Sequence, residues 1–358
     1  MLAPGATIGI LGGGQLGRML SLAAAQLGYR VLIYSPETPS VAAEVSAGWC
    51  NDDWHDMAAL TRFGDRCDVV TWEWENVPTA PLTALAPKLA APVRALEVAQ
   101  DRLQEKRFVA GLGGTPAPFV PVDTPADLDA ALEQLGTPAI LKTRRDGYDG
   151  KGQWRIGSRA EAAALDLPQV PLICEKQVEF EAEFSVLLVR SRTGDHRFWD
   201  SPHNVHRDGM LATSTLPAPA CVTAQTGAAR ALAAQVADAL DYVGVLTLEF
   251  FATLEGPVFN EMAPRVHNSG HWTIEGAATS QFDAHIRAIC GLPAGDTRTV
   301  ADRIALHNII GPRLHEAHDW LSQPDTHLHL YGKKDALPGR KMGHVTRLWR
   351  GGTGGHRT

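Results

Sequence analysis

The sequence predicts an α/β amino-terminal region on a parallel, doubly wound sheet, an α+β middle region and a small carboxy-terminal one. Three observations predict it. Short β-rich runs alternate with helical patterns through the first hundred residues, and the first strand-to-helix turn is rich in glycine. After the Pro/Gly-rich passage GGTPAPFVPVDTPADL, strands come in runs with hairpin signals. At 358 residues the chain is also too long for one compact core. The expected boundaries are 1–103, 104–295 with a subdomain at about 119–175, and 296–358.

TIGIL (7–11) reads as a buried strand. QLGRMLSLAAAQLG (15–28) reads as a helix with Leu16, Met19, Leu20, Ala23, Ala24 and Leu27 on one face. RVLIYS (30–35) and CDVVTWEWE (67–75) are further strands, and residues 81–113 are helical in pattern. Thr124 followed by Pro125 and Asp127 starts a short capped helix that ends on Gly136. PAILK and QWRIG flank the loop RRDGYDGKGQ (144–153), and VPLICEKQV and FSVLLVR are strands. Residues 224–244 form a long amphipathic helix. VLTLEFFAT and PVFNEM face each other across LEG, and HLHLYGK is a strand in a mixed tail. The terminal GGTGGHRT is expected to be disordered.

The formal charge of −7, from 33 Lys+Arg against 40 Asp+Glu, argues against nucleic-acid and membrane-surface partners, which favour a basic face. Five scattered cysteines without a C-x-x-C pair fit a reduced compartment and exclude a disulfide framework. With neither a signal-peptide pattern nor a run of 18 apolar residues, a soluble, cytoplasmic protein is expected.

Four constellations carry chemistry. GGGQLGR (12–18) fits G-x-G-x-x-G, a turn that offers backbone N–H groups to an anion. A dinucleotide would want an acid at the end of the second strand, where Tyr34 and Ser35 stand with Glu37 just beyond; tight helix–strand packing is the plainer reading. Glu249 and Glu261 would lie directly opposite in their hairpin across a three-residue turn at 254–256. Such a pair repels unless a cation sits between, and Mg²⁺ takes one or two carboxylates plus substrate phosphates. APRVHNSGH supplies Arg265, His267, Asn268, Ser269 and His271. YGKKDALPGRKMGH gathers Lys333, Lys334, Arg340 and Lys341 into a basic patch suited to one phosphate. RRDGYDGKGQ then makes sense as a glycine flap whose N–H groups and Lys151 wrap a triphosphate.

Together, ILKTRRDGYDGKGQWR, the Glu249/Asn260–Glu261 hairpin, NEMAPRVHNSGHWT and PGRKMGH resemble the N5-carboxyaminoimidazole ribonucleotide synthases, in the ATP-grasp superfamily. The match runs in order from GGGQLGRM to about residue 346. The resemblance implies an ATP-grasp fold with a Rossmann-like preATP-grasp domain in front and a small domain behind that closes a ribonucleotide phosphate site. It implies ATP as co-substrate with Mg²⁺ (or Mn²⁺), aminoimidazole ribonucleotide and bicarbonate as substrates, and a homodimer. Arg102 and Lys142 would approach the phosphates, and Gly147, Tyr148, Asp149, Gly150, Lys151, Gly152 and Gln153 would close over them. Glu175, Lys176, Gln177 and Val178 would form the adenine hinge, with Glu183 on the ribose, His206 and Asn260 at the nucleotide, and Glu249 and Glu261 on the metal. Gln15, Glu73, Tyr148, Asp149 and Lys151 would face the ribonucleotide, and Lys333 and Arg340 its 5′-phosphate. Arg265, His267 and Asn268 would frame bicarbonate, and Asp149 would take the amine proton. The chain stops about a dozen residues after GRKMGH, so a last helix found in many relatives is expected to be missing. Another ATP-grasp carboxylate–amine ligase, such as a formate-dependent glycinamide ribonucleotide enzyme, stays open, as do a dinucleotide oxidoreductase and a non-catalytic nucleotide sensor.

Overall fold

Residues 1–147 and 152–351 are described by the computed structural model. The strands Gly48–Cys50, Arg30–Tyr34, Thr7–Leu11 and Val69–Trp72 form, in that order, an all-parallel sheet. Apolar residues recur at helical spacing in Gln15–Gln26, so one face of that helix, carrying Leu16, Met19, Leu20, Ala23 and Ala24, is buried.

The stretch 81–113 is not one helical region. A 3-10 turn covers Ala80–Leu85, Leu89 bridges Val70 in parallel, and two separate helices follow, Arg94–Ala99 and Arg102–Gly111. Pro87 and Pro92 lack the N–H that a continuing helix needs. Asp101 then adopts extended backbone and caps the last helix, accepting from Leu103 and Gln104 N–H.

A second, four-stranded sheet runs Phe119–Val122, Leu172–Lys176, Ala139–Thr143, Gln153–Ile156, all antiparallel. The helix Pro125–Leu135 covers it, started by a capping box between Thr124 and Asp127 as the sequence signals. Leu128, Leu132, Leu141 and Cys174 make its own small core.

The third sheet is the largest. Its path is Gly256–Ala263, Gly244–Thr253, Ala182–Arg190, His203–Arg207, Met210–Leu216, Arg303–Ile310, Lys341–Trp349, Thr326–Leu330, with His196–Phe198 pairing off it. The region after 296 therefore shares a sheet with the middle region, through the pairing of Leu216 with Ile304 and its neighbours. No described helix is long and apolar enough to cross a membrane.

His285, fully buried on the helix Gln281–Ile289, ties the first sheet to the third. Its Nδ1 accepts from Val245 N–H at 3.0 Å, so Nε2 carries the proton and faces Thr71 Oγ1 at 2.9 Å. Only glycine fits at 244: φ is +119°, and a Cβ there would meet the imidazole at 2.8 Å. Burial pulls His285 down to about 4. The unfolded chain titrates near 6.5, so between about pH 6.5 and 4 it binds a proton the native state refuses, and stability falls as pH drops through that window. His285→Gln should flatten the pH slope of urea-unfolding stability between about pH 5 and 6 by about 1 kcal/mol per pH unit. An unchanged slope would mean the native imidazole already holds that proton.

Candidate active site

The hairpin brings the two acids opposite each other, but by a different route from the one its sequence suggests. Thr253 pairs with Gly256, so the turn holds two residues, Leu254 and Glu255, and that register alone would set Glu249 against Asn260. A bulge between Phe250 and Glu249 leaves Asn260 as the extra residue and moves Glu261 opposite Glu249. The helix Arg102–Gly111 seals the bulge. Lys106 Nζ donates to Asn260 O (3.1 Å), Met262 N–H donates to Glu105 Oε1 (2.6 Å), and Arg102 Nη1 donates to Glu261 Oε2 (3.0 Å). Positions i, i+3 and i+4 of one helix face thus hold three successive strand residues.

Arg102, Glu105, Asn260, Glu261 and Met262 line a cleft of about 950 Å³ between the two antiparallel sheets. At one end Glu175 pairs with Lys142 at 2.9 Å and Lys106 at 3.3 Å, all three buried. Burial opposes its charge, yet the two ammonium groups hold the Glu175 carboxyl down at about 2. The Glu175 side chain therefore orders the lysines, while Lys176, Gln177 and Val178 line the cleft beyond it. Phe180 stacks on Phe251, ring centroids 4.6 Å apart, as part of the apolar wall nearby.

Glu249 is pushed up to about 7 by burial and then by Glu261, whereas at the part-exposed Glu261 Arg102 outweighs desolvation in the cleft and keeps the carboxyl below the usual range. Glu249 Oε1 is buried and has no hydrogen-bond partner among the described residues. His206 is hydrogen-bonded to Glu183; burial works against its charge, but Glu183 and Glu249 raise it to about 9, so it is a cation at neutral pH. No group of three or more His, Cys, Asp or Glu among the described residues could hold a metal alone. Two hard carboxylates, one with an unpartnered oxygen, do fit an ion that takes its remaining ligands from phosphates.

Behind the acids lies the loop 264–271. Arg265 pairs with Glu75, and His267 Nε2 faces Glu249 Oε1 at 3.6 Å. Burial first, then the nearby Arg265 and Lys341 charges, keep His267 well below its ordinary value, hence neutral. Both amide atoms of Asn268 lack a hydrogen-bond partner among the described residues.

Arg102, Lys142, Gly147, Gln153, Glu183, His206, Asn260, Arg265 and His267 line this one cleft with the acid pair. Gly152, Asn268, Gln15, Glu73, Lys333 and Arg340 do not. Tyr148, Asp149, Gly150 and Lys151 lie outside the described residues. Glu73 sits under the glycine turn, accepting from Gly14 N–H (2.7 Å) and Gly17 N–H (3.3 Å). The helix terminus that could have offered its N–H groups to an external anion is thus filled by the chain's own carboxyl group, in line with the plainer packing reading, and a Cβ on Gly12 would meet it at 2.6 Å. Gly332 approaches this region, since a Cβ there would lie 3.1 Å from Glu44 and 3.6 Å from Arg18.

Sequence reasoning missed Lys106, Glu105 and Glu75, which carry no motif. It also put Lys341 in the basic patch, whereas Lys341 lines the cleft.

A four-stranded sheet clasped over a larger one, with buried lysines and paired acids between, defines an ATP-grasp protein. The ATP-grasp domain family matches residues 107–282, the ribonucleotide synthetase preATP-grasp domain 5–100, and the phosphoribosylaminoimidazole carboxylase C-terminal domain 305–350. The chain is 47% identical over 355 residues to the N5-carboxyaminoimidazole ribonucleotide synthase of Brucella melitensis, covering 97% of each. It belongs to the N5-carboxyaminoimidazole ribonucleotide synthase family. The crystal structure of the Thermus thermophilus synthetase is similar to it with a TM-score of 0.89 at 47% identity, over 96% of this chain and 94% of that one. The Aspergillus clavatus enzyme, solved with ADP and 5-aminoimidazole ribonucleotide, gives 0.88 at 34% identity over 96% and 94%.

The bulge carries its own test. Glu105→Leu would leave Met262 N–H buried without an acceptor, which costs about 1–3 kcal/mol. Urea unfolding should register that loss; a variant as stable as the parent would mean the strand finds another acceptor.

Proposed function

We infer that this chain uses ATP to carboxylate 5-aminoimidazole ribonucleotide to N5-carboxyaminoimidazole ribonucleotide in purine biosynthesis, with bicarbonate as the carbon source. The observation that carries this reading is the cleft itself. Arg102 and Lys142 line it together with Arg265, His267 and an acid pair, one oxygen of which has no hydrogen-bond partner among the described residues.

Bicarbonate is a poor electrophile because its carbon already carries anionic oxygen. Attack of a bicarbonate oxygen on the γ-phosphorus, with ADP leaving, makes carboxyphosphate. Attack of the exocyclic amine on its carbonyl carbon, or on the CO₂ that it releases as phosphate departs, with the amine proton passing to Asp149, then leaves the N-carboxylate. In the first step negative charge gathers on the transferring group, and Arg102, Lys142 and the His206 cation lie along the cleft to offset it. Glu249 and Glu261 would hold Mg²⁺ (or Mn²⁺), whose charge would neutralise the phosphates. Arg265 and the neutral His267, which line the cleft, would orient the bicarbonate oxygens, with Asn268 next to them in the chain. The apolar wall of Val178, Phe180 and Phe251, with Lys176 and Gln177 supplying polar groups beside it, suits a purine ring. The ribonucleotide would lie toward Gln15 and Glu73, its 5′-phosphate on Lys333 and Arg340.

The decisive assay is ADP release with bicarbonate, with the ribonucleotide present or omitted. Turnover on formate without bicarbonate would overturn the assignment. Glu261→Gln should cut ATP turnover by on the order of 10²–10³-fold while leaving the fold intact by circular dichroism. Arg340→Ala should raise KM for the ribonucleotide by roughly tenfold or more, the loss of one charge-assisted phosphate contact, with KM for ATP nearly unchanged. Equal losses for both ligands would contradict separate nucleotide and ribotide sites.

A further inference from the structure

The sheet row that carries Glu261 and Glu249 continues to Ser185, which pairs with Glu249 on the next strand. From there a line of buried polar side chains runs away from the cleft. Ser214 Oγ donates to Asn204 Oδ1 at 2.7 Å, and Asn204 Nδ2 donates to Ser185 Oγ at 3.0 Å. Ser185 Oγ donates in turn to Ser269 Oγ at 2.7 Å. That leaves the Ser269 hydroxyl proton for its remaining partner among the described residues, His267 Nδ1 at 2.8 Å. Ser214, Asn204, Ser185 and Ser269 are each at most 2% exposed, so water does not interrupt the line.

Its direction does not depend on how the Asn204 amide is turned. Ser269 N–H also points at His267 Nδ1, at 3.3 Å, and a backbone N–H cannot reverse. At 3.3 Å that contact is long: it sets the direction in which the hydroxyls behind Nδ1 order, while the 2.8 Å bond from the Ser269 hydroxyl supplies most of the hold on the tautomer. We propose that Ser269, Ser185 and Asn204 are positioning residues: they form a one-way hydrogen-bond chain that holds His267 as its Nε2–H tautomer, so that the imidazole donates into the cleft. The opposite tautomer would aim a lone pair at Glu249 Oε1, 3.6 Å away, and at any carboxylate oxygen bound beside it. The same strand row thus sets both the acid pair and the donor that faces it.

The link to rate rests on the proposed role of His267 at bicarbonate; the tautomer does not. The test uses ¹⁵N-histidine NMR on the whole chain, which reads the His267 tautomer without turnover, together with kcat and KM for ATP. In Ser269→Ala the Nδ1–H form should appear and kcat should fall roughly tenfold, the usual scale for losing a group that orients a functional imidazole, with KM for ATP within about twofold. Ser185→Ala should shift both readouts the same way by less. Ser214→Ala, which removes only the remote end and leaves the chain's direction intact, should change neither. A pure Nε2–H signature in both Ser269→Ala and Ser185→Ala overturns the proposal, as does an equal shift in Ser214→Ala. If the parent releases no ribonucleotide-dependent ADP, the functional reading fails while the NMR comparison still decides this one.

Discussion

One extra residue in a strand governs the site. Without the bulge at Asn260, side chains along Gly256–Ala263 would alternate strictly, and Glu249 would face an amide. With it, Glu261 is brought opposite Glu249, and Asn260, Glu261 and Met262 all line the cleft. A bulge also strands backbone groups. Here Glu105 and Lys106 take up the Met262 N–H and the Asn260 carbonyl, so the helix Arg102–Gly111 fixes the register as well as supplying a cation.

The charges follow from that register. Two opposed carboxylates, one buried and one part-exposed, cannot both stay ionised unaided, which is why Glu249 rises toward neutrality while Glu261 leans on Arg102. Lys106 and Lys142, equally buried, need their own counter-charge, and Glu175 supplies it to both at once. The cleft therefore holds ordered cations beside an acid pair that is costly to leave without a positive partner. Such a site gains most from a ligand that brings a polyanion and a divalent ion together.

Much of this was legible in the sequence because it rests on local signals. The first strand, the capped helix at Thr124 and the partners of the acid hairpin were all readable from period and turn chemistry. The bulge was not, since a two-residue turn plus one extra residue and a plain three-residue turn give the same pairing of Glu249 with Glu261. Lys106 was hidden in a charged helical run, QEKR, where nothing marks which charge faces inward. The helical pattern at 81–113 misled because apolar spacing survives across Pro87 and Pro92 even though the hydrogen-bond ladder does not. The strand Arg303–Ile310 was missed, and with it the shared sheet, because its partners lie far away in sequence.

The glycine turn makes the same point from the opposite side. G-x-G-x-x-G supplies a helix terminus that wants negative charge, but the motif does not say whose. In this chain Glu73 provides it from the neighbouring strand, so the turn is satisfied before any ligand arrives. Burial raises that carboxyl and the glycine N–H groups offset the rise only in part, so its fit in the turn rests on those hydrogen bonds. An external phosphate would have to displace a covalently tethered anion already at hydrogen-bond distance. In this chain the glycine motif therefore marks a packed turn rather than an open seat for an anion.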